Sequence, residues 1–224
     1  MQNKRPFFGG ERATYHHGSL KDALIEAARQ LVAERGPAGF TLAEAAKRVG
    51  VTGAAPYRHF ADRQALLHEL ALRGFAQFGT VLREAWHFGQ PDPTTAMRRM
   101  GRAYQMFARE EPGLYSAMFG SAAMPQDIGT AGLATQAFEM LVAATAAVLA
   151  QHGIVIQAQP LAYEIWAMAH GVAMLGVTGF LHAGQAGCDP EAILGSATAS
   201  LIEMAVRRAK ESKGEATRVD QRQA

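Results

Sequence analysis

The amino-acid sequence predicts an all-α protein, and three observations lead to that prediction. Apolar residues recur with the 3.6-residue period of an α-helix along almost the whole chain. No segment shows the two-residue alternation that is typical of a half-buried strand. Proline and glycine interrupt the pattern at helix-length intervals, and the early helices are shorter than the later ones. We therefore expect a small helical N-terminal domain followed by a larger helical domain.

Capping residues predict four helices in the N-terminal part. Ser19 can cap the first helix, and the Gly-Pro pair at 36–37 ends it. Thr41 begins a capping-box pattern for a second helix, which runs to about residue 49. A third short helix begins near Thr52, and Asp62 can cap a fourth that reaches about residue 79.

The later helices are longer and are separated by proline and glycine. Residues 89–93 form a clear breaker, and Pro160 and Pro190 each stand at a first helical position, where the missing N–H costs little. We expect these helices at 94–110, 126–152, 160–183 and 190–212, followed by a polar tail at 213–224.

Composition and cysteine content indicate a soluble intracellular protein. About half of the residues are hydrophobic and 19% are charged, which is typical of a chain that buries a core. The single cysteine, Cys188, has no partner for an internal disulfide, and the N-terminus lacks the apolar segment of a secretory signal. We expect a cytoplasmic location.

One uncharged stretch, residues 165–181, has the composition of a membrane segment. It is shorter than the roughly 20 residues that span a bilayer, and His170 lies within it. No Lys or Arg flanks it closely enough to set an orientation. We expect a buried helix of a soluble protein and no membrane contact.

Positive charge is concentrated at the front of the chain. Residues 1–80 contain 11 Lys and Arg against 7 Asp and Glu, whereas residues 81–224 contain 11 against 13. No Lys or Arg occurs between Arg109 and Arg207. The pattern favours an N-terminal part that meets a polyanion and a C-terminal part with a different task.

The second and third predicted helices match a helix-turn-helix, because both are short and a glycine-containing turn of three or four residues joins them. In this motif the second helix enters the major groove by its N-terminal end. Gly53, Ala54 and Ala55 allow close approach to base edges and thymine methyl groups. Tyr57 and His59 lie one turn further on, within reach of phosphate oxygens. The alternative is an ordinary solvent-exposed helix.

Order and spacing add a family resemblance. Residues 20–67 resemble the DNA-binding domain of the tetracycline-repressor (TetR) family, since Tyr57, His59, Phe60 and the following basic residue stand at fixed offsets from Gly50. Residues 164–171 resemble the Trp-His-Gly (WHG) signature of one C-terminal domain type in that family. Residues 15–20 resemble the lead-in common in the same subgroup.

The resemblance implies a DNA-binding transcriptional regulator, expected to be a repressor that a small effector releases from its operator. Its expected organisation is a flexible basic arm at 1–17, a DNA-binding domain at 18–79 with the helix-turn-helix at about 41–60, and an effector-binding and dimerisation domain at 80–212. The implied phosphate contacts are Thr41, Thr52, Tyr57, His59 and Arg63, where the family usually has lysine at the last position. The implied base-reading residues are Gly53, Ala54, Ala55 and Arg58, with Lys4, Arg5 and Arg12 of the arm reaching a minor groove.

The resemblance also implies a homodimer through the helices at 160–183 and 190–212, and an effector pocket inside the C-terminal domain. Because no Lys or Arg follows Arg109 until Arg207, we expect an uncharged or cationic, mainly apolar effector rather than an anion. The candidate pocket residues are Met100, Tyr104, Phe107, Tyr115, Met118, Phe119, Phe138, Trp166, His170 and Met174, with packing in the core as the alternative for each.

Two other classes of function stay open, an all-α enzyme and a helical adaptor that binds only protein. The eight histidines include no i, i+4 pair and no HExxH motif, and Cys188 has no partner, so we expect no metal site. We also expect no cofactor and no catalytic residue.

Overall fold

The computed structural model describes residues 19–120, 128–181 and 189–223, and within those ranges the secondary structure is helical, with no strand. This confirms the predicted all-α class. Two 3₁₀ turns, Ala55–Arg58 and His87–Gly89, accompany the α-helices. The helices are α1 (Leu20–Arg35), α2 (Leu42–Val49), α3 (Arg63–Trp86), α4 (Pro93–Glu110), α5 (Pro112–Phe119), α6 (Ile128–Gln151), α7 (Gln159–Val177) and α8 (Pro190–Gln223).

The predicted caps of the N-terminal helices are present. The Ser19 side chain accepts a hydrogen bond from the Asp22 backbone N–H and begins α1. Thr41 and Glu44 form the reciprocal capping box of α2. Asp62 caps α3 by accepting from the backbone N–H of Ala65 at 2.8 Å. These bonds satisfy backbone donors that a helix start leaves unpaired, so the local sequence determines where these three helices begin.

The prediction of a third short α-helix is wrong, because residues 52–60 contain the 3₁₀ turn Ala55–Arg58 and no α-helix. An α-helix starting near Thr52 needs an N–H at position 56 to bond the Thr52 carbonyl, and Pro56 has none. The Ala55 N–H bonds that carbonyl instead, at 3.0 Å, which gives the tighter turn.

Three helix ends also differ from the prediction. Helix α3 passes residue 79 and ends at Trp86, where His87 adopts a left-handed conformation with φ 44°. Helix α7 ends at Val177, short of residue 183. Helix α8 continues to Gln223, through the segment from 213 that we expected to be a polar tail. Hydrophobic periodicity locates a helix better than it locates the helix end.

Helix α5 is absent from the sequence prediction. It contains eight residues and begins directly after Glu111, with Pro112 at its first position. A short apolar helix gives too few turns for a clear 3.6-residue pattern.

Several expectations lie outside the described residues. They concern the basic arm at 1–17 with Lys4, Arg5 and Arg12, the lead-in at 15–18, Cys188, and the predicted helix residues 126–127 and 182–183.

Helix α3 lies at the centre of the fold. It packs against α1 on one side and against α4, α5 and α6 on the others. One continuous apolar core runs from Leu24 of α1 through Leu66 and Phe78 of α3 to Leu194 of α8. The predicted domain boundary near residue 79 therefore falls inside a helix that contributes to the core on both sides.

Helices α1 and α5 approach each other unusually closely. A Cβ atom added at Gly113 of α5 would stand 2.1 Å from the backbone oxygen of Arg29 in α1. The Arg29 guanidinium also bonds Glu111, the residue that precedes α5, at 3.0 Å. Helix α5 is thus fixed directly on the first helix of the N-terminal part, without an intervening linker.

Helix α6 includes a 20-residue segment, Gly132–Gln151, that is long and apolar enough to cross a membrane, with a mean hydropathy of 1.6. Among the described residues it is the one segment that meets this test, and residues 165–181 do not. Ala144, Val148 and Leu149 of this segment are buried in the core, within a segment of which 28% is buried in all. A core helix of a soluble protein has the same composition.

We predict that Gly113→Ala destabilises the protein by about 1–3 kcal/mol, because the new methyl group meets a backbone oxygen that cannot move away without displacing α1. Chemical unfolding measures the change. Gly79→Ala is the matched control, since it also adds a methyl to a helical glycine, with no atom within 4 Å. The control should gain up to about 1 kcal/mol from helix propensity. Equal stability of the two variants would contradict the close α1–α5 contact.

Candidate nucleic-acid interface and ligand cavity

The turn after α2 presents most of the predicted contact residues to solvent. Thr52, Gly53, Ala54, Tyr57, Arg58 and His59 are exposed, as is Thr41 at the start of α2, whereas Ala55 and Arg63 are half-buried. Pro56 and Phe60 are buried and anchor the turn. An ideal Cβ at Gly53 lies 4.0 Å from Ala43 of α2, so the turn packs closely on that helix.

The hydroxyl of Thr41 is already engaged within the capping box. It donates to Glu44 Oε2 at 3.0 Å and accepts from the Glu44 backbone N–H at 3.2 Å. Hydrogen bonds from Arg35 and then Thr41 hold the pKa of Glu44 below its usual range, so this carboxylate stays charged. The Thr41 hydroxyl can therefore donate to a phosphate only if it breaks its hydrogen bond with Glu44.

Arg63 ties together two segments of the N-terminal part. Its Nη1 donates to the backbone oxygen of Ala38 at 2.9 Å, in the turn between α1 and α2. This bond fixes the approach to the α2 N-terminus. The guanidinium carries five N–H donors, so others remain for a phosphate.

Most basic side chains of α1, α2 and α3 are neutralised by carboxylates. Lys47 of α2, Arg58 of the following 3₁₀ turn and Arg83 of α3 are exposed and make no ion pair with any residue the structure describes. Lys47 stands in the last turn of α2 and Arg58 in the following 3₁₀ turn, so two of these three unneutralised charges lie at the helix-turn-helix. Sequence reasoning missed Lys47, although its place in a last helical turn was readable. The neutralised pairs are Lys21–Glu69, Arg29–Glu26, Arg35–Glu44, Arg48–Glu34 and Arg73–Asp22.

A cavity of about 120 Å³ lies among six helices of the C-terminal part, α3 to α8. Its wall contains no charged side chain. Five of the ten predicted pocket residues line it: Met100, Tyr104, Phe119, Phe138 and Trp166. The remaining lining residues are Phe75, Phe78, Leu82, Met97, Gly101, Ala134, Ala137, Leu141, Ile165, Ala169, Leu194 and Thr198.

The other five predicted residues lie behind or beside this wall. The Phe107 ring packs on Phe78, with centroids 5.2 Å apart. Met118 fills the space beside Gly74, and Met174 packs against the core. Tyr115 and His170 form a polar cluster with Tyr104.

Sequence reasoning missed the α3 side of the cavity for an identifiable reason. Phe75, Phe78 and Leu82 follow helical spacing on one face of α3. Phe75 and Phe78 fall within the predicted DNA-binding domain, 18–79, where the sequence gives no reason to expect a pocket wall, whereas Leu82 falls within the predicted effector domain. The length of α3 is what brings these side chains to the cavity.

The polar cluster consists of Tyr104, Tyr115 and His170. The Tyr115 hydroxyl lies 2.8 Å from His170 Nδ1 and 3.1 Å from the Tyr104 hydroxyl. All three polar atoms are satisfied if Tyr104 donates to Tyr115 and Tyr115 donates to His170. Tyr104 is the member of the cluster that also lines the cavity.

Burial keeps the cluster uncharged. It raises the pKa of Tyr104 to about 12 and also raises the pKa of Tyr115. Burial lowers the pKa of His170 below its ordinary value of about 6.5. At neutral pH the cluster therefore offers hydrogen bonds and no charge.

The described residues contain no group of three or more His, Cys, Asp or Glu that could hold a metal ion.

Two family models match the chain. The model for bacterial regulatory proteins of the tetR family matches residues 24–70, which include the helix-turn-helix. The model for a tetracyclin repressor-like C-terminal domain matches residues 97–201, which include most of the cavity wall. Together the two models match well over half of the chain. The chain belongs to the tetracycline-repressor family, and the resemblance read from the sequence is confirmed.

Similar proteins agree with this assignment. The nucleoid occlusion factor SlmA of Marinobacter nauticus is 31% identical over 127 residues, 55% of this chain and 63% of the relative's length. A protein of unknown function from Rhodococcus sp. RHA1 has a similar structure, with a TM-score of 0.71 and 28% identity over 85% of this chain and 97% of the other. The TetR-family regulator PfmR from Thermus thermophilus shares the fold, with a TM-score of 0.64 and 18% identity over 80% of this chain and 97% of the other.

We predict that His170→Phe weakens the acid sensitivity of the fold. Burial lowers the pKa of His170 in the folded state, so as pH falls the unfolded chain binds this proton before the folded chain does. The free energy of unfolding that neutral His170 contributes is therefore lost as pH falls below about 6.5. Urea unfolding between pH 8 and pH 5 should show a smaller loss of unfolding free energy in the variant. His152→Phe controls for loss of an imidazole at an exposed position. Parallel losses in His170→Phe and the native protein would contradict the prediction.

Proposed function

We propose that the protein is a homodimeric, cytoplasmic transcriptional regulator that binds a DNA operator of two inverted half-sites. In this proposal it is a repressor, and a small, mainly apolar effector releases it from DNA. The observation that carries the proposal is the exposed helix-turn-helix with its unneutralised cations, Lys47 and Arg58, in a chain of this family. We infer no enzymatic activity, no cofactor and no membrane contact.

Phosphate contacts position the protein on the duplex. Tyr57 and His59 are exposed on the 3₁₀ turn and its end. Tyr57 is 62% exposed although its ring is apolar, which suits a side chain that DNA covers when it binds. Thr52 lies exposed at the start of the same turn. Thr41 and Arg63 complete this group through the α2 N-terminus and the turn that precedes it.

Base reading falls to Gly53, Ala54, Ala55 and Arg58. The first three have no side-chain hydrogen-bonding group, so they suit close approach and contact with thymine methyl groups. Arg58 is the member of this group that can form a bidentate bond with guanine. Sequence-dependent DNA shape would supply further specificity.

An exposed apolar face of α7 supports the homodimer. Met168 is 38% exposed and Leu175 is 45% exposed, and they flank the exposed Gly171 at spacings of three and four residues. Added Cβ atoms at Gly171 and Gly176 would meet no atom within 4 Å, so the backbone there is open to a partner helix. Ala169 and Ala173 of the same helix face the chain's own core and lie outside the proposed interface. Helix α8 packs beside α7 and would complete a four-helix interface.

The cavity supports an apolar effector. Its wall combines aromatic, aliphatic and methionine side chains, and the Tyr104 hydroxyl is a polar group that can orient a ligand. Trp166 and Phe138 contribute rings on the α6 and α7 side, with centroids 5.7 Å apart. An effector must bind one arrangement of the dimer better than another in order to shift DNA binding.

We predict sequence-specific DNA binding that weakens steeply with salt, because phosphate contacts release counterions. Fluorescence anisotropy with duplexes from the DNA flanking the protein's own gene, against a scrambled duplex, measures both properties. A salt slope near zero would contradict DNA binding through phosphates. Absence of any DNA affinity would favour the protein-binding adaptor or the enzyme.

We predict that Tyr57→Phe weakens binding to specific and scrambled duplexes alike, by about 3–10-fold, because one hydroxyl contact with phosphate is lost. Tyr163→Phe is the matched control, since Tyr163 is also an exposed tyrosine but lies on α7. A Tyr57→Phe variant that changes base preference instead would assign Tyr57 to base reading.

We predict that Leu175→Glu converts a dimer of twice 24.0 kDa to monomers, because it buries an unpaired charge at the interface. Sedimentation velocity measures the change. Val155→Glu is the control, because Val155 is 95% exposed in the segment between α6 and α7. A native protein that sediments as a monomer at all concentrations would refute the proposed interface.

A further inference from the structure

A groove between α4 and α8 adjoins the cavity. The groove measures about 480 Å³ and shares four of its lining residues with the cavity wall: Met97, Gly101, Leu194 and Thr198. The same side chains therefore line two adjoining spaces, one with an apolar wall and one with charged side chains in its wall.

The groove is charged, in contrast to the cavity. Arg98, Arg99 and Arg102 of α4 line it, together with Asp189 and Glu191 at the start of α8. These side chains leave the groove with one net positive charge. The sequence-based preference for an uncharged or cationic effector considered only cations after Arg109, so it left these three arginines out.

Arg98 is the arginine available to a ligand. Arg102 pairs with Glu191 at 3.2 Å, and Arg99 donates to the backbone oxygens of Ala85, Trp86 and Gln90. Arg98 is exposed and makes no hydrogen bond or ion pair within the part of the chain that the structure describes. An anion in the groove would meet an unpaired guanidinium.

We propose that the groove is a second subsite, which holds the anionic end of an amphipathic ligand whose apolar end fills the cavity. This inference rests on the proposed effector role of the cavity. A cavity of about 120 Å³ is close to the roughly 150 Å³ of an apolar cavity that binds benzene, so a single ring suits it. A charged end buried in that wall would lack a partner, whereas the groove supplies solvent and Arg98. The ligand class is thus an aryl or short alkyl group joined by a few carbons to a carboxylate or phosphate.

Gly101 controls the passage between the two subsites. An ideal Cβ at this position lies 3.3 Å from Leu194 Cδ2, so a larger side chain would narrow the space between α4 and α8 at the shared wall. Glycine avoids this tight contact with Leu194. A valine there would press on Leu194 and close the connection.

Three probes with one apolar part separate the contributions of the subsites: 4-phenylbutyrate, 4-phenylbutan-1-ol and 4-phenylbutylammonium. Isothermal titration calorimetry with the full chain, without DNA, should show the carboxylate binding most tightly and the ammonium least tightly. Arg98→Gln should weaken 4-phenylbutyrate about 3–10-fold and leave the alcohol unchanged, because only the charge-assisted contact is lost. Arg109→Gln, eleven residues or about 16 Å further along α4, makes the same charge change away from the groove and should alter none of the three.

Gly101→Val tests the connection between the subsites. It should weaken all three probes at least 10-fold, while Gly79→Val, at a helical glycine with no atom within 4 Å, should not. Thermal unfolding confirms that each variant is folded. If the Gly101→Val variant is unfolded, Arg98→Gln still decides the matter, since Arg98 is exposed.

Three results would overturn the proposal: equal affinity for the three probes, an unchanged 4-phenylbutyrate affinity in Arg98→Gln, or no binding of any probe at millimolar concentration. These titrations contain no DNA. Their failure therefore leaves operator binding intact, and failure of operator binding leaves the subsites intact.

Discussion

The rest of the structure depends on the contact between α1 and α5. Gly113 lets the α5 backbone lie against the Arg29 carbonyl, and Glu111 bonds the Arg29 side chain at the same place. A backbone contact of this kind cannot adjust by rotamer changes, so α5 cannot move along its axis without moving α1. The N-terminal helices and the cavity-bearing helices therefore form one packed body, with α3 passing through both.

Helix α5 also reaches the ligand cavity, and this gives the contact a functional meaning. Phe119 at its C-terminal end lines the cavity, and Tyr115 bonds His170 behind the cavity wall. A ligand that displaces Phe119 acts on α5 directly, and one that displaces Tyr104 of α4 acts on α5 through the bond between the Tyr104 and Tyr115 hydroxyls. The N-terminal end of α5 rests on α1. The proposed release of DNA needs a coupling of this kind, because only a ligand with different affinities for two arrangements can shift them.

Local sequence signals predicted the parts of the fold that depend on neighbouring residues. Ser19, Thr41 and Asp62 marked helix starts because a cap requires only a side chain and an N–H two or three residues away. The 3₁₀ turn was also readable in principle, since Pro56 lacks the donor that an α-helix needs there. The family resemblance likewise depended on residues close in sequence, around Tyr57 and His59.

What the sequence did not reveal depends on long-range packing. Helix α5 is too short to show a period, and the cavity wall combines residues from six helices whose registers only the fold determines. The Arg63 bond to Ala38 and the position of Arg98 beside the cavity are of the same kind. Half of the predicted pocket residues line the cavity. An aromatic residue or methionine at helical spacing indicates that the side chain is buried, but it does not indicate whether the side chain faces the cavity or packs behind its wall.

Thermodynamic linkage between the cavity and DNA tests the central claim most directly. The dissociation constant of 4-phenylbutyrate would be measured for the free protein and for the protein saturated with its operator duplex, and the dissociation constant of the duplex with and without the ligand. We predict that each partner weakens the other by the same factor, within the roughly 5–150-fold range typical of allosteric coupling. Bound ligand that leaves the affinity for the duplex unchanged would contradict the account.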